Sequence, residues 1–342
     1  MLHAALAERW GTLSRRHGWL RWLAKWGVSV TSLLAGLVTL FIFRRGPPHV
    51  GWIVGYLILL WLLFTVFTQA RQGLVARGRR LVLVTVDYTI QSLYHGLLLF
   101  VLPAYLVSTT FTSVNAGFSL LLVGVALLTT VDPWYRAAIA SHRSGAHALF
   151  TFSLFAALNV ALPLVGVRPV LALFASAFLA IFALTPAWKR EGALSWAGTW
   201  ARAGGVALAA LALLWWLKAW IPPAPLHLAR ATLARAVSGL EPLEPVTGPI
   251  SAVALREWRN LVAYTAVYAP AGLNQAVAHV WRRNGEIVNV VPLSPVLGGR
   301  TEGFRTYSRK SDFGVDPSGE WSVDVVTASG QLIGRLRFTV TP

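Results

Sequence analysis

Long apolar runs dominate the first two thirds of the chain and stop near residue 221. A helix needs about 20 apolar residues to cross a bilayer core of roughly 30 Å. Seven runs are close to that length: residues 26–43, 50–67, 81–107, 113–131, 146–165, 170–187 and 203–221. The pattern therefore predicts a membrane α-helical bundle of about seven transmembrane helices over residues 26–221.

Beyond residue 251 apolar and polar positions alternate, which is the period of a half-buried β-strand. Strands are predicted at 262–268, 276–282, 286–293, 304–309, 321–325 and 336–340. Asn284 and Gly285 separate two of them, and this pair favours a two-residue hairpin because both residues accept positive φ. Short strands at this density are typical of a small sandwich. We therefore predict an all-β, immunoglobulin-like sandwich over residues 251–342.

Residues 222–250 join the two parts. Pro222, Pro223 and Pro225 end the last apolar helix. From 226 to 240 leucine and alanine fall on one helical stripe with Arg235 opposite, which predicts a short amphipathic helix. The stretch 241–249 is typical of a stiff proline-containing spacer.

Charge is scarce and unevenly distributed. Only 13% of the 342 residues are charged, against roughly 25% in soluble domains, and the net charge is +17. Residues 1–250 carry +14 of it. The basic segment 1–25 and the predicted loops on its side hold most of the arginines, which indicates cytoplasmic loops facing anionic lipid and no nucleic-acid surface. Seven spans then place the N-terminus in the cytoplasm and residues 251–342 on the opposite, periplasmic side of the membrane.

The chain has no cysteine, which excludes disulfides and thiol catalysis. It contains no Walker, HExxH or GxSxG motif and no His-rich metal spacing. We therefore assign no catalytic residue and expect no cofactor or metal. Enzymatic activity stays open, although the sequence favours a non-catalytic protein.

One helical face inside the third run is polar. Asp87, Gln91 and His95 follow each other at a spacing of four residues, so they share that face. Because a charged group near the bilayer centre costs on the order of 3 kcal/mol, the face is expected to turn into the bundle. It is either a site for a proton, an ion or a polar ligand, or an interhelical clamp; Asp87 alternatively pairs with Arg80 near the membrane surface.

Two faces of the predicted β-sheet are further binding candidates. His279 and Trp281 share a strand face, either as an aromatic ligand platform or as packed core. Arg305 and Tyr307 point the same way from their strand and Lys310 follows. That basic and aromatic face is either a site for an anionic glycan, a lipid headgroup or an acidic partner, or a plain solvated surface.

The same β-region resembles a known family. The residues that carry the resemblance are His279-Val-Trp281, Arg305-Thr-Tyr307-Ser308-Arg-Lys310, Gly319-Glu-Trp321-Ser-Val323-Asp324-Val325, Gly330, Gly334-Arg335 and Phe338-Thr-Val340. Over residues 255–342 the chain is similar to a bacterial envelope family known as domain of unknown function 2914, which often has Trp where Tyr307 stands here. The preceding helices look like the multi-span region that precedes this module in uncharacterised membrane proteins. The resemblance implies a β-rich domain outside the membrane and brings no activity with it.

Two functions remain as hypotheses. The first is a binding or assembly protein whose periplasmic β-sandwich docks a partner protein or an envelope glycan or lipid. The second is a transporter or membrane-embedded enzyme that handles a lipid or a small polar substrate at the Asp87, Gln91 and His95 face.

Overall fold

The computed structural model describes residues 80–140, 142–192 and 194–342, together with the isolated helical positions 55, 58, 59, 61, 62 and 66. The basic segment 1–25, the first predicted span and most of the second lie outside the described residues.

The five later apolar runs all form helices. They are α1 (Arg80–Val107), α2 (Ala116–Thr130), the short α3 (Asp132–Tyr135) with a π-helical turn (Arg136–Ala140), α4 (Arg143–Leu164), α5 (Pro169–Phe182), α6 (Thr185–Glu191) and α7 (Trp196–Leu217), which ends in a 3-10 turn (Lys218–Trp220). Within the described residues four helical segments are long and apolar enough to cross a membrane. The number is five if α2 and the bent segment after it, at 102° to each other, form one broken span.

Contacts divide the chain into two compact units. Among the described residues, the first unit lies within 80–101, 122–157 and 180–206, and the second within 102–121, 158–179 and 207–342. The strands therefore share a unit with the adjoining ends of α1, α2, α4, α5 and α7.

The β-domain, residues 227–342, is built from two sheets. One sheet has the strand order β2-β1-β4-β9, the other has the order β3-β11-β10-β6-β7, and a two-stranded ribbon joins β5 to β8. The strands are β1 (His227–Ser238), β2 (Glu241–Val246), β3 (Ile250–Ser251), β4 (Leu261–Tyr268), β5 (Asn274–Gln275), β6 (Val277–Arg283), β7 (Glu286–Pro292), β8 (Val296–Leu297), β9 (Phe304–Lys310), β10 (Gly319–Thr327) and β11 (Leu332–Thr341). A short helix, α8 (Ala252–Trp258), stands between β3 and β4.

Apolar side chains from both sheets meet in two clusters. Leu261 and Ala263 of β4 pack in the same cluster as Trp281 and Trp321 of the five-stranded sheet. The ring of Phe338 lies edge-on to Trp281, with an interplanar angle of 83°. Members of this cluster recur at every second position in β4 (Leu261, Ala263), β10 (Trp321, Val323) and β11 (Phe338, Val340), which is the period of two expected of strands.

The hairpin at Asn284-Gly285 forms as predicted. Both residues have positive φ, 51° and 88°, and they connect β6 to β7. Such a turn matches the right-handed twist of the two strands, and this local chemistry made the hairpin visible in the sequence.

The amphipathic helix predicted over 226–240 is wrong, because this segment is strand β1. It lies between β2 and β4, so the β-domain begins at His227 and not near residue 251. A bulge between Leu228 and Arg230 shifts the register against β4. Because a bulge adds one residue, Leu228 and Leu233 both reach the core although they are five positions apart. That spacing hid the period of two.

Three hydrogen bonds join the β-domain to the helix ends of its own unit. Asn115 donates to the Leu332 carbonyl at 3.4 Å, Gln331 to the Ile221 carbonyl at 3.2 Å, and Arg337 to the Thr112 carbonyl at 3.3 Å. Both amide side chains are buried. Since a buried polar group without a partner is costly, these bonds favour one attachment geometry.

Candidate functional site

The polar face of α1 contacts α2 inside the first unit. The Gln91 side-chain amide donates to the Thr129 carbonyl at 3.0 Å. The Thr130 hydroxyl donates its single hydrogen to the Ala126 carbonyl, so His95, whose Nδ1 lies 2.9 Å from the Thr130 Oγ1, donates to that oxygen. Asp87 is half-buried one turn earlier. Gln91 and His95 thus tie α1 to the C-terminal turns of α2, which is the geometry of an interhelical clamp.

His279 lies in the interior of the β-domain with no exposed surface. Its Nε2 is 3.0 Å from the Thr265 Oγ1, and its Nδ1 is 2.8 Å from the Ser308 Oγ. Trp281, equally buried, donates from its indole nitrogen to the same Ser308 oxygen at 2.9 Å. Neither side chain reaches the surface in this structure. Both belong to a hydrogen-bonded network between the two sheets, and packing accounts for them.

Burial also sets the protonation of this histidine. It lowers the pKa of His279 from its ordinary 6.5 to about 4, because the charged ring would lose its hydration between the sheets. His279 is therefore neutral at pH 7, and the hydroxyls around it supply its partners.

The predicted basic face divides between the two sides of β9. Arg305 and Tyr307 point outward, whereas Lys310 points inward and is 6% exposed. The Lys310 ammonium lies 5.5 Å from the ring centre of Phe313 and 5.8 Å from that of Trp321. Burial lowers the pKa of Lys310, and Asp312 partly opposes this shift. Lys310 is thus a cation held against aromatic rings of the core.

Carboxylates accompany the outward arginines. Glu241 lies 2.7 Å from a guanidinium nitrogen of Arg305 and 3.3 Å from one of Arg230. The Arg230 guanidinium covers the ring of Tyr264 at 5.7 Å. This surface is therefore a network of mixed charge, which is weaker as an anion site than the row of basic residues in the sequence indicated.

Three of the four sheet edges carry the features with which natural proteins prevent strand pairing. Strand β2 contains Pro242, Pro245 and two glutamates. Strand β9 presents arginines, and β3 is only two residues long.

Strand β7 lacks most of these features. Ile287, Val288 and Val290 are 58%, 48% and 51% exposed. A register irregularity opposite Val288 and a final Pro292 interrupt the edge, but the described strand has no charged residue after Glu286. We call the three exposed apolar residues the β7 edge. The sequence predicts this strand but not its position at an edge, since apolar residues at both odd and even positions are also typical of a buried strand.

In the described part of the chain no cluster of three or more His, Asp or Glu side chains is arranged to hold a metal ion.

Comparison with known families matches two regions of the chain. A family of unknown function (DUF5924) matches residues 6–257, which is more than half of the chain. The chain belongs to the DUF5924 family. A second family, a protein of unknown function (DUF2914), matches residues 274–340, within the range where the sequence resembled it. No curated protein matches the chain.

The family boundary crosses the β-domain of this DUF5924 member. Strands β1, β2 and β3 fall in the DUF5924 match, whereas β5 to β10 and all but the last residue of β11 fall in the DUF2914 match. Strand β1 pairs with β4 over seven residue pairs and also with β2. The four-stranded sheet therefore needs strands from the DUF5924 region, and the helical family contributes part of the β-domain.

Proposed function

We propose that this DUF5924 protein is an inner-membrane docking protein with about seven spans. In this proposal the N-terminus is cytoplasmic and the immunoglobulin-like β-domain lies in the periplasm. The observation that carries the proposal is the β7 edge, whose three apolar side chains are about half exposed, on a domain hydrogen-bonded to helix ends. The occupant is a partner protein that adds an extended apolar segment to β7 as a further strand.

The chemistry of such an edge supports this occupant. An edge strand offers unpaired backbone donors and acceptors, and an added strand satisfies them while exposed apolar side chains provide specificity. Valine and isoleucine in water on both faces of β7 would be covered by the side chains of the added strand. The guarded edges β2 and β9 offer no comparable surface.

The transporter or membrane-enzyme hypothesis has less support among the described residues. Gln91 and His95 are buried and hydrogen-bonded to α2, so their visible role is to hold helices together.

Site-specific crosslinking in living cells tests the docking proposal. A photo-reactive residue at Val290 is expected to capture a partner protein. In a second experiment the photo-reactive residue stands at Val288, and Val290→Lys is expected to abolish its capture of the partner, since a lysine buried under the added strand would have to be desolvated. The matched control is Leu243 on β2, which is 46% exposed and close to two prolines. A photo-reactive residue at Leu243 should capture no partner, and Leu243→Lys should leave capture from β7 unchanged. Equal crosslinking from both edges, or crosslinks only to a second copy of this chain, contradicts the proposal.

Orientation is tested separately. Because the chain contains no cysteine, Val315→Cys provides a single thiol for labelling, on a side chain that is 95% exposed and is not part of the β7 edge. A membrane-impermeant maleimide should label it in intact spheroplasts as fully as in lysed cells. Labelling that requires lysis would place the β-domain in the cytoplasm.

A further inference from the structure

A cleft opens where the α4–α5 turn meets the β-domain, inside the second unit. Its volume is about 450 Å³, within the range of small-ligand sites. Gly166 and Arg168 line it from the turn, and Asn274, Gln275 and Ser329 line it from the β-domain.

Close backbone contact forms one side of this cleft. Gly166 has a φ of +89°, and a Cβ added there would lie 3.2 Å from the Gly272 carbonyl oxygen. A larger residue would strain the backbone and push the turn away from the β-domain. Gly166 therefore permits the close contact between the turn and Gly272, and the cleft opens beside that contact.

The cleft contains hydrogen-bond donors and no acid. None of its lining residues is Asp or Glu, and Arg168 is its single cation. Among the described residues, neither the Arg168 guanidinium nor the Asn274 amide has a hydrogen-bond or ion-pair partner. Gln275, in contrast, donates to the Ala276 carbonyl at 2.8 Å. An anion that entered would meet a free guanidinium and a free amide without repulsion from a carboxylate.

The position of the turn favours a lipid over a soluble anion. Arg168 connects two apolar helices that are both long enough to cross a membrane, so it lies at the level of lipid headgroups. Val165 and Leu171, on either side of it in the chain, are 60% and 51% exposed. A ligand with a charged head and an apolar tail would use both features.

We propose that this cleft binds the phosphate headgroup of an anionic phospholipid. Arg168 pairs with the phosphate, Asn274 donates a further hydrogen bond, and the acyl chains lie against the apolar flanks of the turn. The site does not involve the β7 edge, so docking and lipid binding can fail independently.

Native mass spectrometry of the full-length protein tests the site. The protein is released from nanodiscs that contain phosphatidylglycerol and phosphatidylcholine in equal amounts. Both lipids carry a phosphate, but the choline group of phosphatidylcholine would bring a second cation next to Arg168 in a cleft without an acid, so wild-type protein should retain phosphatidylglycerol preferentially. Arg168→Gln should reduce phosphatidylglycerol occupancy about tenfold, the value of one charge-assisted contact. Arg168→Lys should retain part of the binding, and Asn274→Ala should show a smaller loss.

Arg309→Gln is the matched control, because it removes an exposed arginine of β9 away from the cleft and should leave lipid retention unchanged. Arg168 is exposed and unpaired, so its variants should unfold at the wild-type temperature. Equal retention of both lipids, or an equal loss in Arg309→Gln, would overturn the proposal. Displacement of the lipid by millimolar inorganic phosphate would overturn the lipid assignment in favour of a free-phosphate site.

Discussion

Two carboxylates of the β-domain each lie between two arginines, and they differ in burial. Asp324 bonds to Arg335 through both of its oxygens and to the Arg282 Nε at 3.0 Å, and its side chain is 3% exposed. Glu241 lies between Arg305 and Arg230 with 46% of its side chain exposed. The chemical groups are the same, so the comparison isolates the effect of the environment.

The environment assigns different roles to the two networks. Water and salt screen the Glu241 pairs, and exposed pairs contribute roughly 0–1 kcal/mol. The Asp324 network is shielded from water, where a charge left without its partner is expensive. Asp324 and Arg335 also lie on the sheet face that presents Arg337 to the Thr112 carbonyl. The buried network therefore connects β6, β10 and β11 within the five-stranded sheet, whereas the exposed network lies on the surface of the four-stranded sheet.

The largest expected effect comes from breaking the buried network. Asp324→Asn keeps the shape of the side chain but leaves two arginines without a carboxylate. The free energy of unfolding should fall by about 3–5 kcal/mol. Tryptophan fluorescence during denaturation of the full-length protein in detergent measures the loss. A loss no greater than that of Glu241→Gln would show that burial does not separate the two networks.

An intermediate effect is expected from pH, through the buried histidine. The pKa of His279 is about 4 in the folded protein against 6.5 when it is unfolded, so the unfolded chain binds more protons between these values. The contribution of neutral His279 to the free energy of unfolding is complete above pH 6.5 and falls as the pH drops toward 4. The total loss of stability is on the order of 3 kcal/mol.

The test compares wild type with His279→Gln, which does not titrate. The free energy of unfolding of the variant should depend less steeply on pH between 6.5 and 4. The carboxylates of the chain titrate in the same range but contribute equally to both proteins. Parallel stability curves over this range would be inconsistent with a neutral buried His279.

The smallest effect is expected at the exposed network. Glu241→Gln should lower the free energy of unfolding by less than about 1 kcal/mol. At 1 M salt, where the screening length is about 3 Å, this difference should disappear. The Asp324→Asn difference should persist at the same salt concentration. Stability measured at low and high salt checks both statements, and a salt-independent Glu241 effect would contradict them.

Several elements were predictable because local chemistry determines them. The apolar runs predicted α1, α2, α4, α5 and α7 through their length, and Asn284-Gly285 predicted the hairpin through its tolerance of positive φ. Strand β1 was missed because a bulge disturbs its alternation and its Ala, Arg and Leu residues also favour a helix. Pairing with β2 and β4 outweighs that preference.

The candidate sites were less predictable. Lys310 follows Arg309 in the chain but faces the opposite side of the sheet, so adjacent basic residues did not form one surface. No spacing in the sequence brings Asp324 to Arg282, which is 42 residues away, or Arg168 to Asn274. The apolar residues of β7 are exposed because the strand order places β7 at an edge, and strand order cannot be predicted from the residues of one strand.

The sequence by itself determined where the chain is apolar, where it alternates and where it turns, because these depend on residues only a few positions apart. The tertiary structure decided which strand lies at an edge, which carboxylate is buried and which donors surround a cleft. These properties depend on segments distant in the chain, and their free energies are set by the water that packing removes.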